Sequence, residues 1–146
     1  MKKIICLVVV ILMIAAVAYA AKKVAITPKN VASLKGTWTG MLSFATIGAA
    51  GGITSPVTLE ILNDTPPLKA KWTIANVPTE VAQQFGGGAG GQKVGENDDG
   101  IITADGSVMW TGADKNFVNA TLLDNKKLSL WYYWRGMRGD ATLNKK

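Results

Sequence analysis

The chain of 146 residues contains no histidine, and its single cysteine is Cys6. Imidazole bases are therefore absent, and so, beyond Cys6, are thiolates and the usual zinc, copper or haem ligands. Carboxylates, lysines, tyrosines and hydroxyls remain. Paired carboxylates can serve as the acid and base of a glycosidase when held about 5 to 9.5 Å apart. Here Asp64, Asp105, Asp114 and Asp124 each lie among turn-forming residues, where Asp is favoured because its side chain hydrogen-bonds nearby backbone. Glu96-Asn97-Asp98-Asp99-Gly100 is the one acidic cluster. Its oxygens would suit a hard cation, but it lacks the spacing and distal Glu of an EF-hand loop, so a solvated loop is expected. The chain is thus expected to hold no catalytic residue, metal or cofactor, and a carboxylate enzyme acting on glycans ranks last.

The aromatic residues are better placed to act. In Trp131-Tyr132-Tyr133-Trp134 a strand would turn Leu128, Leu130, Tyr132 and Trp134 inward and leave Trp131, Tyr133 and Arg135 outside. Outward rings beside a cation are typical of recognition surfaces, and such rings also stack on sugars. The competing reading is cross-strand packing under a cover, for which the segment 24–31 is available. Trp38, Trp72 and Trp110 each sit in an apolar alternation. They are either core filling or the walls of a narrow apolar ligand pocket.

Three features set where these residues are held. Met1-Lys2-Lys3, the apolar run from Ile4 to Val17 and Ala18-Tyr19-Ala20 have the form of a cleavable export signal over 1–20. The run is shorter than the roughly 20 residues that span a bilayer, so no membrane anchor is expected after cleavage. A bacterial periplasmic or secreted location follows. Removing Lys2 and Lys3 leaves 14 basic against 10 acidic residues, a net charge of +4. The lysines are scattered through turns and ends, which argues against a nucleic-acid surface. Removal of the signal also takes away Cys6, so the exported domain must hold together by its core alone.

After an N-terminal extension over 21–33, the chain alternates apolar and polar residues with turn chemistry between the pieces. Leu34 to Phe44, Val57 to Ile61 and Leu68 to Ile74 read as strands, the last two separated by Asn63-Asp64-Thr65-Pro66-Pro67. Ile101 to Ala104 and Ser107 to Thr111 flank a tight Asp105-Gly106 turn. Asn116 to Leu123, Leu128 to Arg135 and Gly139 to Lys145 complete eight strands. Short sequential strands of this kind predict an all-β, antiparallel up-and-down barrel over 34–146, with a two-sheet sandwich as the other arrangement of the same strands. The exception is 75–99. Val77, Val81 and Phe85, spaced four apart, with Pro78 at the first helical position, predict a short helix over 78–85 lying across an open end. The glycine-rich run that follows predicts a mobile loop over 86–99.

With Gly36-Thr37-Trp38 opening the first long strand, a meander after it and a signal before it, the chain resembles the small secreted bacterial lipocalin-like, or calycin-type, barrels. The resemblance covers Leu34 to Lys146 and implies that Trp38 lies across one end of the barrel. Avidin-like barrels and small secreted bacterial protease inhibitors share the architecture. Shorter strands, missing cysteines and the lack of a C-terminal helix set this chain apart from the true lipocalins and count against a large cavity. The leading expectation is a non-enzymatic barrel that binds a small apolar ligand or an envelope component, with Trp38, Trp72 and Trp110 at the pocket. The alternative is a protein-interaction or inhibitor module acting through Trp131, Tyr133, Arg135 and the glycine-rich loop.

Overall fold

The computed structural model describes residues 21–45, 53–84, 88–112, 116–124, 126–134 and 137–146. The expected signal over 1–20 and the proposed contact residue Arg135 lie outside them.

The period-two patterning becomes strands β1 (Lys23–Val24), β2 (Gly36–Ala45), β3 (Ile53–Ile61), β4 (Leu68–Val77), β5 (Gly91–Ile102), β6 (Val108–Thr111), β7 (Phe117–Leu123), β8 (Lys127–Trp134) and β9 (Met137–Lys145). From β2 onward each strand pairs antiparallel with its neighbour in the chain. The ring then closes where β9 returns to β2, from Trp38 opposite Lys145 to Ala45 opposite Arg138. This is an eight-stranded up-and-down barrel, and the sandwich arrangement is excluded. Closure leaves no long edge to aggregate. β1 is an addition outside the eight; it lengthens the sheet beside the end of β7.

Inward positions along the strands form one core. Leu42, Leu59, Leu68, Val108, Trp110, Leu128 and Leu143 are all fully enclosed. At one end the chain before β2 makes a short 3-10 turn, Val31–Leu34, and buries Ile26, Val31 and Leu34 beneath the barrel. The extension therefore plugs an end and pairs with β7. It does not cover Trp131 and Tyr133, so the reading in which 24–31 shields them is overturned. The extension is anchored to the β5–β6 turn. The Ile26 amide donates to the Gly106 carbonyl at 2.9 Å, and Lys23 Nζ reaches the Asp105 carboxylate at 2.5 Å. Gly106 has φ 73, and a Cβ there would meet Ala25 at 2.7 Å, so the turn glycine serves both the hairpin and the strap lying on it.

The opposite end carries the helix expected over 78–85, observed as α1 (Thr79–Gln84). Val81 and Ala82 are buried there together with Val77. Pro78 precedes the helix and its carbonyl accepts the first bond, from the Ala82 amide.

The expected loop over 86–99 needs correction. Residues 85–87 lie outside the described set, but from Gly91 the chain is strand: Gly91 to Asp99 belong to β5. The acidic cluster is therefore strand and not loop. Alternation sends Asn97 inward, 4% exposed, while Glu96 meets Lys71 of β4 at 3.5 Å on the outside. Between Leu68/Gly100 and Ala70/Asn97 two residues of β4 span three of β5, a bulge. At this bulge the Asp99 carboxylate accepts the backbone amide of Thr111 at 3.0 Å. This stretch shows no apolar alternation because the positions of β5 facing Ile74, Trp72, Ala70 and Leu68 are Lys93, Gly95, Asn97 and Gly100.

Lys23 is the main cause of a strongly depressed Asp105 pKa, helped by Thr103 and Ser107, so the contact stabilises the fold while Asp105 is ionised. Its contribution is full above the unfolded value near 3.8 and is lost as the pH falls below it. Asp105→Asn is expected to lower the thermal midpoint at pH 7. The gap from wild type should narrow steadily below about pH 4 in a series of melts. An equal gap at every pH would rule out this role.

Candidate functional site

Each of the three candidate pocket tryptophans is held by a hydrogen bond from its indole N–H. Trp38 donates to the Leu34 carbonyl at 2.7 Å and Trp110 to the Leu68 carbonyl at 2.8 Å. Trp72 donates to Asn97 Oδ1 at 3.0 Å, and the Asn97 amide in turn donates to Asn116 Oδ1 at 3.2 Å. Two of the rings lie over glycines of β5. A Cβ on Gly95 would stand 2.1 Å from Trp72 Cζ2, and one on Gly100 would stand 2.2 Å from Trp110 Nε1. Trp110 thus crosses β5 to reach a carbonyl of β4.

Trp38 and Trp110 are 2% and 0% exposed and belong to the core. Trp38 closes the plugged end of the barrel. Lys145 Nζ lies 5.4 Å from its ring centroid and donates to the Ser33 carbonyl at 2.6 Å. One lysine thereby ties the last strand to the turn before the first. Of the three, Trp72 lines an apolar pocket inside the barrel, which it shares with Leu42, Val57, Ile74, Val118, Leu130 and Tyr132. Trp72 and Tyr132 meet edge to face with centroids 5.5 Å apart. The pocket is wholly apolar and encloses about 240 Å³ including its open mouth. As it stands, about one water molecule fits inside. A space of that size does not, as it stands, admit a drug-sized ligand, for which pockets run from about 300 Å³ upward. The Ser55 hydroxyl, also inside, is the one buried side-chain polar atom among the described residues without a hydrogen-bond partner.

On the outside the strand register builds a different surface. Ile101, Met109, Asn119, Trp131, Asp140 and Ser43 form one row across β5, β6, β7, β8, β9 and β2. The next row holds Thr111, Phe117, Tyr133 and Arg138. Ile101, Phe117 and Tyr133 are exposed. Trp131 and Tyr133 lie nearly parallel, 17° between planes and 6.1 Å between centroids, and Phe117 stands 6.4 Å from Tyr133. Neither row contains a lysine. The other side of the barrel is a charge ladder in which Glu60, Lys71 and Glu96 face one another across β3, β4 and β5.

Of the partner-binding residues read from sequence, Trp131 and Tyr133 are brought together on the outer face. Arg138, absent from that reading, is the cation observed there. Its guanidinium lies 5.7 Å from the Trp131 ring centroid and grips the Asp140 carboxylate with two bonds of 3.1 Å. Phe117, Met109 and Ile101 were also missed. A stretch of sequence carries no information about which residue of another strand stands opposite it, so only the register could reveal them.

The indole-over-glycine geometry can be checked directly. Gly95→Ala is expected to destabilise the protein by about 1–3 kcal/mol, the usual cost of overpacking. It should also shift indole emission, because Trp72 must leave its seat. Chemical denaturation and fluorescence read both effects, and an unchanged spectrum with native stability would contradict the packing.

Among the described residues, no helix is long and apolar enough to cross a membrane. Compared with models of protein families, with curated proteins and with solved structures, the chain matches none.

Proposed function

We propose that this chain is a non-enzymatic, exported lipocalin-like barrel that recognises a component of the bacterial envelope through the outer face of β7, β8 and β9, with Trp131 and Tyr133 at its centre. The observation that carries this reading is the division of the outer wall. One side carries the ladder of Glu60, Lys71 and Glu96, while the other presents Ile101, Met109, Phe117, Trp131 and Tyr133 around the Arg138–Asp140 pair, with no lysine in the two rows that hold them. Contiguous apolar surface of that kind on a soluble domain marks an interaction site, and Trp, Tyr and Arg are the residue types that concentrate binding energy. Arg138 is already ordered and neutralised by Asp140, so covering it costs less than covering a free cation. The lipocalin-like relationship is supported by Trp38, which lies across one end of the barrel under Lys145.

A second reading rests on the wholly apolar lining around Trp72 and Tyr132. A slender apolar ligand entering there would displace side chains to make room, and Trp72 would report it. Titration with single-chain fatty acids and small aromatic compounds tests this reading. It expects a saturable change in emission that Trp72→Phe removes, and a flat response to every compound counts against it.

For the leading reading, the purified protein is mixed with a washed envelope fraction and sedimented. Trp131→Ser with Tyr133→Ser is expected to reduce the bound fraction at least tenfold while leaving the circular dichroism unchanged. Undiminished binding by the double variant would refute it.

A further inference from the structure

The row through Trp131 is not uniformly apolar, and the placement of its polar members identifies a ligand class. On either side of Trp131, directly across the neighbouring strands, stand Asn119 and Asp140. Arg138 stands directly across from Tyr133. One row further along the barrel, Thr121, Ser129 and Thr142 carry hydroxyls on the same outer face. Directly opposed residues in a sheet have Cβ atoms about 5 Å apart, so Trp131 is fenced by polar groups on both sides and Tyr133 on the side of Arg138, with Phe117 on its other side. The central fence post is Arg138. Two of its N–H groups are committed to Asp140, and this fixed fork leaves further donors directed away from the carboxylate.

Resting on the reading of this face as the recognition surface, we infer that its ligand is a glycan, bound with the apolar face of a pyranose ring against Trp131 and Tyr133. A sugar ring is amphipathic in the same way as this surface. Its C–H groups present an apolar face that suits an aromatic plane, and its hydroxyls radiate around the edge as donors and acceptors. Asn119 offers both hydrogen-bonding senses, Asp140 accepts and Arg138 donates. The indole and phenol rings are stacked, 17° between planes and 6.1 Å between centroids, and with Arg138 over the indole they form one apolar surface edged by a donor. A dry protein interface is the poorer match, because its core excludes charge and leaves buried amides and hydroxyls in need of partners. Here the polar groups border the rings themselves. The absence of lysine from both rows fits a neutral ligand better than a polyanion.

The test is isothermal titration of the purified protein with chitotetraose, cellotetraose and maltotetraose, followed in parallel by indole emission. At least one of the three is expected to bind saturably in the millimolar range or tighter. Trp131→Ala with Tyr133→Ala should weaken that sugar at least tenfold, and Asn119→Ala alone several-fold. Glu60→Gln, on the charged side, should leave it unchanged. No saturable signal from any of the three up to about 10 mM overturns the inference, as does binding that survives loss of both rings. The same sugars added to the sedimentation experiment separate the two levels of claim. Sedimentation that requires the rings but resists all three sugars sinks the glycan and leaves the face standing, with a protein component as its ligand. Sedimentation indifferent to the rings sinks both.

Discussion

An indole can be buried only if its N–H finds an acceptor, and the inside of this barrel is arranged around meeting that requirement three times. A small eight-stranded barrel has room inside for little more than its own side chains. Trp38, Trp72 and Trp110 supply large apolar surface, yet each brings a donor whose burial without a partner would cost about 1–3 kcal/mol. The acceptors come from outside the patterned parts of the strands. One is the carbonyl of Leu34 in the 3-10 turn, one the carbonyl of Leu68 at the bulge, and one the side chain of Asn97. The turn before β2, the register slip in β5 and an inward asparagine thus share one physical cause.

That arrangement accounts for the composition of β5. A strand that must lie beneath two indoles cannot carry side chains at those positions, and Gly95 and Gly100 leave the space the rings occupy. Glycine weakens a strand on its own, but here the ring of a neighbouring strand covers the backbone that glycine leaves bare. The pocket between Trp72 and Tyr132 has room for about one water.

The outer wall is sorted by the same register that fills the core. Because successive residues alternate faces, fixing Trp110, Val118, Leu130 and Tyr132 inside obliges Met109, Phe117, Trp131 and Tyr133 to stand outside. Solvent-facing rings on β8 are therefore a geometric consequence of the core, but their neighbours are not. Phe117 and Arg138 stand beside Tyr133, and Asn119 and Asp140 beside Trp131, only because the barrel closes in one register. The extension is committed to the plugged end, where Lys23, Ile26 and Leu34 hold it, and leaves the rings uncovered by it.

Much of this was legible in the residues alone. Local alternation named the eight strands, Asp105-Gly106 named its hairpin, and Val77 and Val81 behind Pro78 named the helix, because each is decided within a few neighbouring residues by pleat, turn geometry or proline. Facing was legible too, which is why Trp131 and Tyr133 were read as outward. Three things were not: that β5 begins at Gly91 rather than Ile101, that Arg138 is the cation beside Trp131, and that the barrel holds Trp72 at a pocket but Trp38 and Trp110 in the core. All depend on contacts between residues far apart in the chain. A glycine that reads as loop becomes strand when an indole lies over it, and a ring becomes a platform when the next strand supplies its neighbours. Periodicity fixes which way a side chain points; only the closed register fixes what it meets.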